Sequence, residues 1–191
     1  DDGKYMWASI DPATGERTAT KDYNEAVAEL QGKSRYAPWA GGFGLNASWK
    51  GISIAADFSW NYGKYLVNND RYFTELDQYT SYSRNKDLLN RWEKPGDVAK
   101  YGKFGETVQF DSHLIEDASF LRLKNLTVGY SLPRKWMDKT GFMKGVRIYF
   151  TARNLLTVTK YTGFDPEADT NLTYGRYPNS RQFVGGLQLT F

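Results

Sequence analysis

Few side chains in this sequence have both the type and the spacing that chemistry needs. Asp165, Glu167 and Asp169 alternate, as oxygen ligands around a cation can, but they lack the full spacing of a calcium loop and read as a solvated acidic edge. His113 is the one histidine and cysteine is absent. His113 therefore reads as neither metal ligand nor base, and disulfides, zinc–thiolate sites and thiol nucleophiles are excluded. There is no Ser/His/acid set spaced like a triad, no Gly-rich phosphate loop and no helix-borne His pair. These residues imply no enzyme and no cofactor. What remains is aromatic. Trp7, Trp39, Tyr72, Phe73, Tyr79, Tyr82, Trp92, Tyr101, Tyr161 and Tyr174 stand among polar groups in loop-like segments. Flat rings in that setting suit sugar faces or peptide side chains, and equally suit packing between loops or against a partner protein. Trp92, Tyr82, Tyr161 and Tyr174 are the candidates for such contacts.

The elements that must position these residues are strands. In the final segment, 181–191 (RQFVGGLQLTF), Phe183, Leu187, Leu189 and Phe191 share one parity with Gly185. Gln182, Gln188 and Thr190 share the other with Val184 and Gly186. This is a strand with one apolar and one mostly polar face, running to a terminal aromatic where a soluble domain usually frays. Transmembrane barrel strands have this pattern, and the edge of a soluble sandwich shares it. Segment 42–49 places Phe43, Leu45, Ala47 and Trp49 on one face. Segment 52–62 places Ile52, Ile54, Ala56, Phe58 and Trp60 opposite Ser53, Asp57, Ser59 and Asn61. Only Lys50-Gly51 separates these two, which predicts a two-residue hairpin. Segment 146–158 sets Val146, Ile148, Phe150, Ala152, Leu156 and Val158 against Arg147, Thr151, Arg153 and Thr157. Segment 120–132 is imperfect: Leu126, Val128, Tyr130 and Leu132 agree, but Leu121 and Leu123 fall on the other parity. Either a bulge flips the parity, or the upper half projects beyond the bilayer, where the rule lapses.

Composition and connection lengths point the same way. Aromatics make up 16% of the 191 residues and Gly numbers 18, which suits β-structure with girdles and tight turns. No apolar run reaches the length of a membrane helix, which excludes helical membrane proteins but not barrels. The net charge of +3 is small and its basic residues are scattered, so nucleic acid is not a partner. Counting back from Phe191 with the chain end as periplasmic, 159–181 and 63–119 are external, and 133–145 and 50–51 are periplasmic. Long connections thus fall outside and short ones inside, as in outer-membrane barrels. The same count sets Trp49, Tyr130 and Phe191 near the inner interface and Trp60 near the outer one. Short helices are expected at 133–139, with Pro133 leading and Gly141 as stop, and at 84–92. Residues 1–39 read as an extracellular loop region with a turn at Asp11-Pro12-Ala13-Thr14-Gly15, and 40–191 as barrel. Five strands cannot close a barrel, and an open sheet in lipid would leave two unpaired edges, so partner strands must complete the wall.

Several blocks then become specific. Leu89-Asn90-Arg91-Trp92, Lys94-Pro95-Gly96-Asp97, the run 115–133 (IEDASFLRLKNLTVGYSLP), Ala152-Arg153-Asn154-Leu155-Leu156-Thr157, the run 160–167 (KYTGFDPE) and Tyr177-Pro178 follow in order. From about Trp39 onward the chain resembles the C-terminal region of the SusC/RagA family, TonB-dependent outer-membrane transporters of Bacteroidota. The resemblance implies an all-β fold, the last five or so antiparallel strands of a plugged barrel of about 22 strands. It further implies energy from TonB, ExbB and ExbD through the plug, a SusD-like lipoprotein lid, and import of oligosaccharides or peptides. The plug and most strands are absent from this sequence, so the remainder of the barrel is itself an expected partner, as is outer-membrane lipid. In that frame Phe183, Leu187, Leu189 and Phe191 form the terminal-strand assembly signal. Asp57, Arg147 and Arg153 are lumen-facing charges, which touch plug or substrate or serve as ordinary wall electrostatics. On the lipid face a cation would cost about 2–4 kcal/mol at mid-depth. The four candidate aromatics become substrate or lid contacts. The alternatives are a soluble β-rich carbohydrate-binding module, which would fold alone in buffer, and an outer-membrane barrel enzyme.

Overall fold

The computed structural model describes residues 2–76, 83–170, 172–173 and 175–191. In chain order the strands are β1 (Trp7–Ile10), β2 (Arg17–Thr20), β3 (Trp39–Trp49), β4 (Ile52–Tyr62), β5 (Tyr65–Asn68), β6 (Ile115–Asp117), β7 (Phe120–Ser131), β8 (Gly145–Thr159), β9 (Leu172–Thr173) and β10 (Gln182–Thr190). Helix α1 spans Asn69–Glu75 and α2 spans Arg134–Met137. β5, β6 and β9 make a small sheet in the order β6-β5-β9. Among the described residues no helix is long and apolar enough to cross a membrane.

The chain divides into two compact units. One comprises 34–66, 117–170 and 176–191 and is built on a five-stranded sheet in the order β10-β8-β7-β4-β3. Each neighbouring pair in that sheet is antiparallel. All five strands coincide with the alternating segments of the sequence: β3 and β8 are longer, β4 has the same bounds, and β7 and β10 stop a residue short at one or both ends. Lys50 and Gly51 join β3 to β4 with φ of 47° and 89°, the paired positive values of a hairpin turn whose twist matches the strands. A Cβ on Gly51 would stand 2.7 Å from the Ser131 carbonyl oxygen, so this position admits only glycine without strain. Because neighbours in the sheet are sequential and antiparallel, 50–51 and 132–144 join strands at one end, and the chain leaves for and returns from the long connections at the other.

The misplaced leucines of β7 resolve through a bulge. Asp57 pairs with Asn125 while Phe58 pairs with Leu123, so Lys124 is an extra residue. The parity flips there, and Leu121 and Leu123 join Leu126, Val128 and Tyr130 on one face. β8 answers with its own irregularity: Leu123 pairs with Leu156 and Asn125 with Arg153. Asn154 sits within it at φ 52°, a left-handed conformation that Asn tolerates, and its Nδ2 donates to the Ser180 carbonyl at 3.0 Å.

The apolar face of this sheet does not pack into the chain's own interior. Phe43, Ile54, Phe150 and Leu189 are 47%, 44%, 49% and 43% exposed. Phe43 stacks on Phe58 at 4.8 Å and Phe150 on Phe183 at 6.0 Å, so the side chains pack laterally across strands. The buried cluster of the unit is small and lies off the sheet: Leu66, Ala118 and Tyr161, with Ala168 against them. In the turn 132–144, Pro133 caps α2, and Gly141 at φ 74° follows it.

The other unit comprises 2–33, 67–116 and 172–175 apart from the undescribed positions. The turn at Asp11–Gly15 closes a real hairpin, β1 against β2, where the sequence reads only loop. Asp11 accepts the Gly15 amide at 2.8 Å and its side chain accepts the Ala13 amide at 2.8 Å. α1 was not legible, since it carries no apolar period; the stretch 84–92 holds a short 3-10 turn, Lys86–Leu89, capped by the Asn85 side chain.

Candidate functional site

The five-stranded sheet has two chemically opposite surfaces. Register places Trp49, Ile52, Tyr130, Ile148 and Leu187 in one row across all five strands, and the next rows on that face are equally apolar. The other face carries Asn46, Ser53, Asp57, Asn125, Thr127, Arg147, Thr151, Arg153 and Gln188. The three predicted polar-face charges lie there. Asp57 is exposed and Asn125 Nδ2 approaches it at 3.5 Å. Arg153 is exposed beside it in register, through Asn125. Arg147 is half-buried, and its Nη2 donates to Ser53 Oγ at 3.1 Å. It can lie flat because position 129 is glycine: a Cβ there would stand 2.9 Å from Arg147 Nε. Thr127 and Thr151 share a hydroxyl hydrogen bond at 2.9 Å. This face is wet in character and fully able to face water or another polar surface, whereas the apolar face is suited only to hydrocarbon or a hydrophobic partner.

The terminal-strand residues Phe183, Leu187 and Leu189 lie on the apolar face of β10, exposed by 60%, 61% and 43%. Phe191, just past the strand, stacks with Phe142 at 6.2 Å. β10 and β3 are the edges of the sheet.

Of the alternating acids of 165–169, Asp165 and Glu167 are not part of a solvated edge, whereas Asp169 is exposed. Arg122, 4% exposed on the polar face of β7, donates from Nη2 to Asp165 Oδ1 at 2.6 Å and from Nη1 to Glu167 Oε2 at 2.7 Å. Its Nε donates to Thr157 Oγ1 at 2.9 Å. The bulge residue Lys124 donates to both Glu167 oxygens, at 2.5 and 2.7 Å. Asp165 also accepts the Asn179 amide at 2.9 Å. Burial alone would raise the Asp165 pKa; the Arg122 hydrogen bond and the amides of Asn179 and Glu167 overcome it and hold the carboxyl below its usual range. This clasp was invisible in sequence because its cations lie more than forty residues away and reach the acids only through the bulge. Nearby, Lys64 donates to the Ala168 carbonyl at 2.8 Å, and burial lowers its pKa.

The other unit has its own charged cluster. Arg71 Nε donates to Glu75 Oε1 at 2.7 Å and Nη1 to Glu116 Oε1 at 2.8 Å. Tyr101 OH donates to Glu75 at 2.9 Å. His113 Nδ1 meets Asp111 Oδ1 at 2.6 Å, its Nε2 lies 3.8 Å from Glu75 Oε2, and Trp7 Nε1 donates to Asp111 Oδ2 at 2.7 Å. Burial alone would lower the His113 pKa, but Asp111 and Glu75 overcome it and raise it to about 9. The raised pKa favours the protonated ring of His113 beside Asp111, and it is Asp111 that ties Trp7 to the cluster. A cleft of about 500 Å³ adjoins this cluster, bordered by Tyr5, Trp7, Lys100, Tyr101 and Gln109 among others.

The four candidate aromatics separate. Trp92 is half-buried, its amide bonded to the Tyr101 carbonyl at 3.0 Å and its ring against Gly3. Tyr161 is buried with Leu66 and Ala118, so its ring holds the fold of its unit together. Tyr82 and Tyr174 lie outside the described residues.

No family model matches the chain. Individual proteins do. A TonB-dependent receptor of Formosa agariphila is 33% identical over 166 residues, covering 78% of this chain and 16% of that protein. The TonB-dependent receptor SusC of Bacteroides thetaiotaomicron is 31% identical over 137 residues, covering 71% of this chain and 14% of SusC. The solved structure of a RagAB peptide transporter superposes with a TM-score of 0.86 at 46% identity, covering 99% of this chain and 21% of that one. The chain spans 14–16% of the length of these curated relatives. The structural match nevertheless covers almost the whole of this chain, and with the 33% identical receptor it makes this chain a member of the SusC/RagA family of TonB-dependent outer-membrane transporters.

Proposed function

We propose that this chain is the C-terminal barrel portion of a SusC/RagA-type transporter that imports nutrients across the outer membrane of a Gram-negative bacterium of the Bacteroidota. Residues 40–191 supply about five strands of a larger, plugged barrel, and 1–39, 63–119 and 159–181 supply its extracellular loops. One observation carries this reading: an antiparallel sheet whose large apolar side chains are exposed along one whole face, with the charges Asp57, Arg147 and Arg153 on the other. A soluble protein seldom leaves such a face bare, and lipid requires it. The two free edges support completion of the wall by the remaining strands, since unpaired backbone has no water to bond in a bilayer.

The cargo is an oligosaccharide or a peptide too large to diffuse through porins. The 46% identity to a RagAB peptide transporter, against 31% to SusC, favours peptide. A SusD-like lipoprotein would cover the extracellular mouth, and TonB with ExbB and ExbD would drive the cycle through the plug. Arg147 and Arg153 would face plug or pathway, and Trp92, Tyr82, Tyr161 and Tyr174 remain the proposed substrate or lid contacts, Tyr161 through the loop it supports. The test is fractionation and uptake with the full transporter. It is expected in the outer-membrane fraction, soluble only in detergent, co-purifying with a lipoprotein, and taking up labelled oligopeptide only while TonB is present. A water-soluble monomer that binds glycan without membrane association would replace this reading with the carbohydrate-binding module.

A further inference from the structure

The sheet's apolar face ends differently at its two ends, and the short-turn end has a charge pattern of its own. Trp49 and Tyr130 share a row through Ile52, and Phe142 stacks on Phe191 at the β10 edge. Beyond this aromatic row the turns 50–51 and 133–145 carry five cations, Lys50, Arg134, Lys135, Lys139 and Lys144, against one acid, Asp138. That excess is larger than the +3 of the whole chain, so the positive charge of the molecule is concentrated here. Trp136 on α2 is 57% exposed among these cations. Lys50 lies 4.6 Å over the Trp49 ring, and Lys144 donates to the Phe191 carbonyl at 3.1 Å. Among the described residues Lys50, Arg134, Lys135 and Lys139 are exposed and have no carboxylate partner. At the other end of the same sheet, Arg122 and Lys124 are paired with Asp165 and Glu167, and these two acids are among the three that the connection 160–181 carries beside Lys160, Arg176 and Arg181.

We propose that the short-turn end is a binding rim for anionic phospholipid headgroups of the periplasmic leaflet, an inference that rests on the barrel reading above. The order along the sheet matches the bilayer: apolar face in hydrocarbon, Trp49, Tyr130 and Phe191 at the interface, unpaired cations at phosphate depth. Long basic side chains beside interfacial rings lay their stems on the apolar boundary and present their charge outward. Four exposed cations with no internal acid, gathered in two short turns beside interfacial rings, find their counter-charge in lipid phosphate.

The test places the full transporter in nanodiscs of phosphatidylcholine with or without phosphatidylglycerol and reads retained lipid by mass spectrometry. The wild type is expected to enrich phosphatidylglycerol. Each cation near an anionic surface contributes roughly a fivefold preference. The combined substitution Lys50→Gln, Arg134→Gln, Lys135→Gln and Lys139→Gln should therefore cut enrichment by at least about tenfold. The charge-keeping set Lys135→Arg and Lys139→Arg should retain it. In case the neutralised variant assembles poorly, wild-type enrichment is also followed to about 1 M salt, where the screening length falls to about 3 Å and the preference should disappear. Equal enrichment in wild type and neutralised variant, or enrichment indifferent to salt, overturns the proposal. So does competition by inorganic phosphate beyond that of chloride at equal ionic strength, which would mark a small-anion site. Failure to insert into either disc would sink the barrel reading itself.

Discussion

His113 stays protonated through the neutral range because two carboxylates share it. Its raised pKa, from 6.5 to about 9, means its contribution to stability is complete below pH 6.5 and is lost as pH rises through 9. Glu75 and Asp111 behave oppositely. Burial would raise both; pairing with His113, together with Arg71 and Tyr101 for Glu75, holds them to about 2. Their contribution is present above their usual carboxylate values and is lost as pH falls through 2. The unit holding Trp7 is therefore expected to be most stable between about pH 5 and 6.5 and to loosen toward pH 9. Trp fluorescence against pH, with an NMR titration of the His113 ring, checks this; a ring titrating near 6.5 would contradict it. Arg122 makes the sharper prediction in the other unit. Arg122→Gln leaves Asp165 and Glu167 short of their buried cation and should cost about 3 kcal/mol locally. Hydrogen exchange in 160–181 should rise while exchange in β4 and β8 stays unchanged.

At the scale of elements, the strands are defined by which side faces what. Ile54 and Asn46 are in adjacent rows on opposite faces, Ile54 paired with Ala47 and Asn46 with Ala55. In the assembled transporter, Ile54→Lys should cost about 2–4 kcal/mol, and Asn46→Lys less than about 1 kcal/mol. Denaturant unfolding in lipid vesicles reads both; equal costs would show that neither face meets hydrocarbon. The bulge at Lys124 is the other decisive element. It turns Leu121 and Leu123 to the apolar side and frees Lys124 to reach Glu167, so one irregularity serves both the membrane face and the loop clasp.

At the scale of the whole molecule, the five-stranded unit buries little and leaves two edges and one apolar face open. Expressed alone in buffer, these 191 residues are expected to aggregate or to need detergent, since each open edge templates further pairing. Sedimentation with and without detergent checks this, and a stable monomer in buffer would contradict it.

Sequence alone determined the five long strands, their hairpin, their two faces and the alternation of connection lengths. Each of these follows from side-chain period or from the φ needs of glycine, which are local properties. It left the leucines of 120–123 undecided, read 165–169 as a solvated edge, and missed the hairpin at 7–20 and helix α1. Only tertiary structure decided those. The bulge is fixed by register against β4, and the buried partners of Asp165, Glu167 and Glu75 come from distant parts of the chain. Their charges are matched across space, where no period along the chain records them.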